Sequence, residues 1–464
     1  MDMIFTDKGA EGVKIAYVGG GSRGWAWGLM SDLVSCPDMS GEVRLYDIDH
    51  EAAKANEIIG NLFNNAEGAI SHWTYQAKET LGEALDGADF VVISILPGTF
   101  DEMESDVHTP EKYGIYQSVG DTSGPGGIIR ALRLIPMIEV IANGIKEHCP
   151  DAWVINYTNP MTMTVRTLYK TFPEIKAFGC CHEVFGTQKL LAGMLEDMCG
   201  IKDVPREEIK VSVTGINHFT WLTSAQYKSI DLFPLYEEFA DKYYETGYFK
   251  GMDENWLNSF FECGHRVKFD LFKRYGLIAA AGDRHLAEFC EGKWYLSSPE
   301  DVRKWRFGLT PVSWRKENLE KRLEKSRERL EGRDIVLAET GEDGVNQMRA
   351  LIGLSTMVTN VNVPNKGQIP NLPLGAVVET NAYFSANSVE PILAGELPMN
   401  LYPLISRIVA SQELVVDAAI ERDLDKAFLA FANDPLVTIG FDDARKLFDE
   451  MVANTAKYLD MYEI

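Results

Sequence analysis

The chain has few cysteines, no long apolar run and a shortage of positive charge. Its seven cysteines include no CxxC pair, so we expect reduced thiols rather than a disulfide framework. Nowhere do about 18 uncharged apolar residues follow one another, the length that a membrane-spanning helix needs. Only 45 Lys and Arg residues stand against 69 Asp and Glu residues, and the net charge of −24 repels nucleic acid and anionic membranes. We therefore expect neither as a partner.

The first residues, MDMIFTDKGAEG, lack the basic segment and the apolar core of a signal peptide. A cytoplasmic location is therefore expected. A length of 464 residues with 45% hydrophobic content is enough for two or three packed domains.

Strand-like and helix-like segments alternate through the first part of the chain. Five short apolar runs, KIAYVG, EVRLYDID, DFVVISIL, AWVINYT and IKAFGCC, are separated by segments of helical periodicity. This alternation predicts an α/β domain with a doubly wound parallel sheet of the Rossmann type. We place that domain at residues 1–200. Residues 201–464 are richer in helical patterns, including a charged helix over 318–333 and one amphipathic helix over 404–432.

A glycine-rich loop follows the first strand. Gly19, Gly21 and Gly24, with Ser22 between them, fit G-x-G-x-x-G, and Asp47 ends the second strand. The glycines permit a tight turn close to a pyrophosphate, and the following helix offers its N-terminal amides. An acidic residue suits the free ribose hydroxyls of NAD and would repel the 2′-phosphate of NADP. The alternative is a glycine-rich turn in a sheet that has lost its cofactor.

Two distant motifs offer ligands for a transition metal. FGCCHEVFG at 178–186 places Cys181 just after a predicted strand, and GINHFTW at 215–221 contains His218. A thiolate and an imidazole bind divalent transition ions and leave positions open for substrate oxygens. Taken singly, each residue has an ordinary alternative, because a buried cysteine fills cores and a lone histidine is often structural.

These motifs together resemble a known family. The glycine loop, CHE, GINHF, NYTNP at 156–160, GDTSGPGGIIRALRLIP at 120–136 and PNKGQIPNLPLGAVVE at 364–379 are similar to the glycoside hydrolases of family four, over nearly the whole chain. CCHEVFG and AAAGDRHLAEF at 279–289 are most similar to the α-galacturonidases of that family. The phospho-glycosidases of the family carry Asp after the metal cysteine, where this chain has His182.

The resemblance implies a glycosidase that requires NAD and a divalent metal. In this family a hydride passes from C3 of the sugar to NAD, a base removes the C2 proton, and the glycosidic oxygen leaves by elimination. Water then adds to C1, and the proton and the hydride return. Such enzymes stand outside the two-carboxylate rule for glycosidases.

The resemblance also implies a C-terminal domain of mixed α+β, lactate-dehydrogenase-like architecture, which would contribute to substrate, metal and oligomer contacts. It implies Mn²⁺ bound by Cys181 and His218, although a thiolate alone would suit zinc or iron, so the ion stays open. A homodimer or homotetramer is expected.

Candidate catalytic groups lie in three of these motifs. Asp283 is the expected base, with a nearby Tyr as an alternative, and a salt-bridged loop as the structural interpretation. His182 is the expected acid toward the leaving oxygen because histidine titrates near neutrality, and Glu183 is the other candidate in this motif. Asp121 would orient a hydroxyl or a metal-bound water, or else cap the helix that begins near Ile128.

The remaining candidates would bind the sugar. Asn159 offers an amide donor and acceptor to hydroxyls, or simply forms an Asn-Pro turn. Glu183 is grouped with it as a substrate-binding residue. The carboxylate of a uronic acid calls for an arginine, and Arg284 is preferred over Arg130 and Arg23 because it adjoins Asp283.

Other functions share parts of this pattern. Within the family, the substrate could be an α-galactoside or α-glucoside instead of a small oligogalacturonide. An NAD-dependent 2-hydroxy acid dehydrogenase would have the same first domain but no metal, so a chelator should spare it. A non-catalytic NAD-binding sensor would bind the cofactor and turn over no substrate.

Overall fold

The computed structural model describes residues 3–249, 258–261, 263–338 and 340–463. The strands within these ranges are β1 Ile4–Thr6, β2 Gly9–Val18, β3 Met39–Tyr46, β4 Trp73–Ala77, β5 Phe90–Ile93, β6 Trp153–Asn156, β7 Lys176–Gly179, β8 Ile209–Ile216, β9 Phe219–Tyr227, β10 Ile230–Asp231, β11 Ile278–Ala279, β12 Met357–Pro364, β13 Val377–Ser385 and β14 Ser388–Pro391.

The helices in the same ranges are α1 Trp25–Val34, α2 His50–Phe63, α3 Leu81–Leu85, α4 Phe100–His108, α5 Gly124–His148, α6 Met161–Thr171, α7 Glu183–Cys199, α8 Phe233–Tyr243, α9 Asn258–Phe261, α10 Arg266–Tyr275, α11 Asp283–Glu288, α12 Gly292–Tyr295, α13 Pro299–Lys304, α14 Val312–Leu330, α15 Gly344–Leu351, α16 Tyr402–Glu421, α17 Leu424–Ala432 and α18 Phe441–Asn454. Across the described ranges, none of them combines the length and the apolar character that crossing a membrane requires.

Six parallel strands form the centre of the large sheet. Their order is β4-β3-β2-β5-β6-β7, which is the doubly wound Rossmann order, and all four residues of β5 are buried. The predicted fold class is therefore confirmed. All five predicted strands are present, and β4 is the parallel strand that the pattern missed. Its buried Trp73 and Tyr75 alternate with exposed residues, as at a sheet edge.

Three strands from the second half of the chain extend this sheet. Antiparallel β12, β13 and β14 continue it beyond β7, and Asn362 of β12 pairs with Gly179 of β7. The carboxyl edge of the sheet therefore contains residues from both halves of the chain. A smaller antiparallel sheet contains the β8–β9 hairpin, with His218 at its turn.

The segment 404–432 forms two helices, so the prediction of a single helix was wrong. The first, α16, ends at Glu421, because Arg422 adopts a left-handed conformation with φ of 62°. The Asp423 carboxylate then accepts a hydrogen bond from the Lys426 amide and begins α17. The charged helix predicted over 318–333 is present as α14.

The long helix α5 joins the cores of the two halves. Leu134 and Ile138 pack against the parallel sheet, whereas Ile129 and Leu132 belong to the core formed with α16–α18. At the first residue of the helix, Gly124, the backbone amide donates a hydrogen bond to the buried carboxyl group of Asp434 at 3.1 Å.

The pH dependence of stability should report this buried carboxyl. Burial raises the pKa of Asp434 from 3.8 to about 6, so the folded protein holds this proton more tightly than the unfolded chain. Its stabilising contribution should be complete below about pH 4 and should be lost as the pH rises through about 6. When the free energy of unfolding is measured by urea titration between pH 4 and 8, the Asp434→Asn variant should lack this pH-dependent contribution. Parallel curves for the variant and the wild type would contradict the assignment.

Candidate active site

The glycine loop makes a tight turn at the carboxyl end of β2. The amides of Gly19 and Gly20 both donate to the Tyr46 carbonyl at 2.9 Å. Gly19 has φ of +94°, and a Cβ atom there would lie 2.0 Å from the Ser94 carbonyl oxygen. The loop therefore requires glycine at this position because the backbones of two neighbouring strand ends approach each other closely.

The first turn of α1 is open to a ligand. The helix begins at Trp25 after Gly24, and no side chain caps its N-terminal amides. Uncapped amides and the helix dipole favour a phosphate at this position. Beside them lies a cleft that Tyr157 and Glu342 also line. These features fit the pyrophosphate of a dinucleotide.

Asp47 stabilises the loop directly. Its two carboxylate oxygens accept hydrogen bonds from the amides of Gly21 and Asp49, each at 2.9 Å. Ser22 closes the turn through its amide, which donates to the Gly19 carbonyl at 3.0 Å. Asp47 therefore has a structural role in addition to the ribose contact predicted for it.

A cluster of two imidazoles and a carboxylate lies between three segments distant in sequence. Donor atoms of Asp121, His218 and His285 all lie within 4.8 Å of one another. The two imidazole rings stack with centroids 4.1 Å apart. Thr122 contacts two of the three residues. Its hydroxyl donates a hydrogen bond to Asp121 at 2.7 Å and lies 3.0 Å from His218 Nδ1.

The electrostatics of this cluster suit metal binding. Burial, with His285 beside it, lowers the pKa of His218 to about 3, and burial also lowers the pKa of His285. Burial would raise the pKa of Asp121, but the charges of His285 and Arg130 outweigh it and lower that pKa. Neutral imidazoles and an ionised carboxylate are the donor states that a divalent ion needs. His285 Nδ1 is also buried without a hydrogen-bond partner in the described residues.

Glu183 borders this cluster. Its Oε1 lies 3.7 Å from His285 Nε2, and its Oε2 accepts a hydrogen bond from the Gly282 amide at 2.6 Å. Burial acts to raise its pKa, but the surrounding imidazoles and this amide lower it to about 2. Glu183 therefore presents a carboxylate to the site.

Cys181 lies on the side of the site formed by the extended sheet. Its thiol lies near the Asn217 side chain, next to His218, and its carbonyl accepts a hydrogen bond from Asn360 Nδ2 at 3.1 Å. Burial, with Glu379 nearby, raises the pKa of the thiol well above its ordinary value. A bound cation would be needed to hold this sulfur as a thiolate. The pairing of Cys181 with His218 as ligands stays a prediction.

Glu379 of β13 connects the two sides. It accepts hydrogen bonds from Asn217 at 3.3 Å and from Asn360 at 2.6 Å. Burial raises its pKa to about 7. The sequence contained it in the motif PNKGQIPNLPLGAVVE, but nothing in the spacing marks that glutamate as adjacent to a cysteine almost 200 residues earlier.

Asp283 is fully buried and belongs to a second group of donor atoms. Its carboxylate accepts hydrogen bonds from the amides of Val267 at 3.3 Å and Lys268 at 3.1 Å, at the start of α10. Cys263 and His265 place donor atoms within 4.8 Å of it. Burial, with Cys263 beside it, raises its pKa to about 7. A carboxyl group with that pKa can accept and return a proton near neutrality.

His182 lies beside two residues that line the cleft, Glu342 and Trp25. Its Nδ1 is 2.9 Å from Glu342 Oε1, and its side chain is 52% exposed. The hydrogen bond to Glu342 raises its pKa, so it holds its proton to a higher pH than a free histidine. Its ring lies 6.1 Å from that of Trp25 at the start of α1. Sequence reasoning missed Glu342.

Asn159 lies beside Asp121 at the end of β6. Its Nδ2 is 3.5 Å from Asp121 Oδ2, and its carbonyl accepts from Arg130 Nε at 3.0 Å. Asn159 Oδ1 is buried and has no hydrogen-bond partner among the described residues, so it is available to a ligand hydroxyl. Asp121 does not cap α5, because its carboxylate is directed to Thr122 and Asn159 instead.

Part of the Arg284 guanidinium forms hydrogen bonds within the protein. Its Nη2 donates to the Ser118 carbonyl at 3.1 Å and to the Thr310 hydroxyl, and its guanidinium lies over the Phe261 ring. Its Nε is buried and has no partner among the described residues. Arg23 pairs with the exposed Asp49, 3.7 Å away.

A Rossmann sheet with donor groups of this kind at its carboxyl edge is typical of a nucleotide-dependent enzyme with a metal site. Comparison with known proteins identifies the family within that class. The pattern of the Family 4 glycosyl hydrolase matches residues 14–197, and that of the Family 4 glycosyl hydrolase C-terminal domain matches residues 213–437. The chain belongs to family 4 of the glycosyl hydrolases, and the predicted family is confirmed.

Three relatives show how far the similarity extends. An alpha-galacturonidase from Thermoanaerobacterium saccharolyticum is 63% identical over 463 residues, covering 100% of both chains. A Bacillus subtilis structure described as a glucosidase matches with a TM-score of 0.90 at 53% identity, covering 95% of this chain and 100% of the other. A 6-phospho-alpha-glucosidase from gut microorganisms, solved with NAD and Mn²⁺, shares the fold with a TM-score of 0.78 at 20% identity, covering 96% and 99%.

Proposed function

We propose that this protein is an NAD- and divalent-metal-dependent glycosidase that hydrolyses α-galacturonides, with small oligogalacturonides derived from pectin as substrates. The observation that carries the proposal is full-length similarity to an alpha-galacturonidase at 63% identity. The site agrees with it, since the chain has a tight glycine loop that suits a dinucleotide and a cluster of Asp121, His218 and His285 whose donor atoms lie within 4.8 Å of one another. A 2-hydroxy acid dehydrogenase would not require the metal-binding residues of the Asp121, His218 and His285 cluster.

The cofactors fit the residues present. Gly19, Gly21, Ser22 and Gly24 would hold the NAD pyrophosphate, and Asp47 its ribose. Cys181 and His218 would hold the divalent ion, for which Mn²⁺ is the expected metal. When bound, NAD supplies a hydride acceptor for C3 of the sugar, and the metal polarises the oxygens on C2 and C3.

The chain itself supplies the proton transfers. Asp283 removes the proton from C2 and later returns it, for which a pKa of about 7 is well matched. His182 gives its proton to the leaving glycosidic oxygen and takes one from the water that adds to C1. Its hydrogen bond to Glu342 raises its pKa and so favours the protonated form that this step requires.

Four further residues would bind the substrate. Asn159 binds sugar hydroxyls through its unpartnered Oδ1, and Asp121 orients a hydroxyl or a metal-bound water next to it. Glu183 accepts hydrogen bonds from sugar hydroxyls as a carboxylate, and Arg284 contributes positive charge toward the uronate.

Isotope incorporation tests both substrate and route. The purified protein is incubated with digalacturonic acid, NAD, Mn²⁺ and a reductant in D₂O, and the released sugar is examined by NMR. We expect galacturonic acid with deuterium at C2 and an unchanged amount of NAD. Release without C2 label would contradict the oxidation and elimination route, and net accumulation of NADH without release would indicate a dehydrogenase.

Two controls separate the alternatives. EDTA should stop release, and Mn²⁺ should restore it, whereas a dehydrogenase would be insensitive. Neutral α-galactobiose and an α-glucoside in place of digalacturonate measure the other family substrates, and faster turnover of either would overturn the galacturonide assignment.

The assembly and location are further proposals. We infer a homodimer or homotetramer in the cytoplasm. Exposed apolar side chains at Leu393 and Met399, 70% and 77% accessible, would be covered in such an assembly. Light scattering of the purified protein measures its size.

A further inference from the structure

Helix α14 packs against the first half of the chain and contributes Arg322 to the lining of the cleft beside α1. It starts against α4, where the Val312 amide donates to His108 Nε2 at 3.1 Å, and it reaches the glycine loop, where Arg322 Nη1 donates to the Arg23 carbonyl at 3.2 Å. Near its end Arg329 lies over the rings of Trp27 and Phe63. The helix is therefore held in place by contacts with the first half of the chain at several points.

Arg315 differs from the other cationic residues of this helix. It is half-buried, and its side chain forms no hydrogen bond or ion pair with any of the residues that the structure describes. By contrast, Lys316 pairs with Glu104 at 2.7 Å, and Arg327 pairs with Glu324 at 2.6 Å. The carboxylate whose charge reaches Arg315 is that of Asp121, which accepts a hydrogen bond from the Thr122 hydroxyl.

Arg315 also lies near two other guanidinium groups. Burial, with Arg315 beside it, lowers the pKa of Arg284 to about 10, and burial lowers that of Arg130 to about 10 with a smaller effect from Arg315. Three arginines thus converge near Asp121 in a protein whose net charge is −24. Burying a cation without a partner is costly, so such a group favours an anionic ligand.

The cofactor is not the best candidate for that anion. The phosphate-type position at the start of α1 is adjacent to Arg322, which follows Arg315 by seven residues. Two helical turns separate the residues by roughly 10 Å along the axis. Arg322 therefore lies beside the position expected for the dinucleotide. Arg315 instead lies near Asp121, which belongs to the cluster with His218 and His285 and contacts Asn159.

We propose that Arg315 binds the C6 carboxylate of a uronic acid and thereby selects uronides over neutral sugars. Arg284 already donates hydrogen bonds to the Ser118 carbonyl and the Thr310 hydroxyl, so it contributes charge while Arg315 supplies the free guanidinium edge. This assignment rests on the proposed function, because it requires a substrate with a carboxylate at C6.

The test compares an anionic and a neutral substrate in Arg315→Gln and Arg315→Lys. For Arg315→Gln, KM for digalacturonate should rise roughly 10- to 100-fold with kcat little changed, as expected for loss of a charged hydrogen bond. Its kcat/KM on neutral α-galactobiose should stay within about twofold of the wild-type value. Lysine should restore part of the effect, because it keeps the charge but not the planar pair of donors. Arg327→Gln, on the exposed side of the same helix, is the matched control.

A measurement of NAD affinity makes the outcomes distinct. NAD affinity, followed by tryptophan fluorescence, should be the same in Arg315→Gln and the wild type. A weaker NAD affinity with equal losses on both substrates would assign Arg315 to the cofactor, and unchanged kinetics would leave it a surface residue. Either outcome overturns the proposal.

Failure of the proposed function would look different. If the wild type hydrolyses no galacturonide, thermal stabilisation by free galacturonate and by galactose still tests Arg315. Selective stabilisation of the wild type by galacturonate, lost in Arg315→Gln, would support the anion site. Equal stabilisation of the two proteins would overturn it.

Discussion

Replacing Asp283 by Asn should lower kcat for digalacturonate by about 10³-fold, within the range that general base catalysis contributes. Asparagine has nearly the same shape but cannot accept the C2 proton. The exchange of C2 hydrogen with D₂O should fall in the same proportion, measured by NMR on substrate recovered before full hydrolysis. The C2 exchange rate is the key measurement because it reports the proton-removal step separately from the later steps of hydrolysis.

A structural role for Asp283 would give a different pattern. Its carboxylate also accepts two amide hydrogen bonds at the start of α10, so the variant should lose about 1–3 kcal/mol of stability. Asp434→Asn is the matched control, because Asp434 is another buried aspartate that binds a helix amide, far along the chain from the proposed base. If both variants lose stability and both retain C2 exchange per folded molecule, Asp283 is not the base.

Replacing His218 by Ala should abolish productive binding of the metal. We expect affinity for Mn²⁺, measured by electron paramagnetic resonance of the free ion, to fall by at least about 100-fold, more than typical losses from residues behind the ligands. Activity should fall by about 10³-fold with it, since the metal stabilises developing charge. The exposed His72 replaced by Ala is the control, and unchanged Mn²⁺ affinity in His218→Ala would contradict the assignment.

The identity of the other ligands can be read from a spectrum. With Co²⁺ in place of Mn²⁺, a thiolate ligand gives a charge-transfer band in the near ultraviolet. If Cys181 and His218 bind the ion together, Cys181→Ser should remove that band while His285→Asn keeps it. Loss of metal affinity in His285→Asn with an unchanged spectrum in Cys181→Ser would instead assign the ion to the cluster of Asp121, His218 and His285.

The fold could be predicted where local pattern and burial agree. β5 and β6 are apolar runs that end in turn-forming residues, and the glycine loop marks the turn from β2 to α1. β12 and β13 could not be predicted as part of this sheet, because their partner β7 lies almost 180 residues earlier and pairing across such a distance leaves no local periodicity. The break at Arg422 was missed because the apolar repeat continues through it.

The candidate site shows the same limit. Asp121, Asn159, Glu183 and His218 were chosen from separate motifs, and the structure places them in one region. His285, two residues after Asp283, was not predicted as part of the site, because a single histidine beside a carboxylate has no spacing that distinguishes a ligand from a structural residue. Glu342 and Arg315 lie in segments whose sequence looks like an ordinary loop and an ordinary charged helix, and only packing reveals what they face.

The pairing of β12 with β7 affects how members of this family can recombine. A chimaera joined near residue 200 would combine β7 of one parent with β12–β14 of another, and it would separate Cys181 from the Asn360 and Glu379 that surround it. The unit inherited with the nucleotide-binding half is therefore discontinuous, and residues 357–391 should be exchanged together with it. New substrate specificities in this family would then arise by substitutions within the N-terminal sheet and residues 357–391 rather than by exchange of the N-terminal and C-terminal halves.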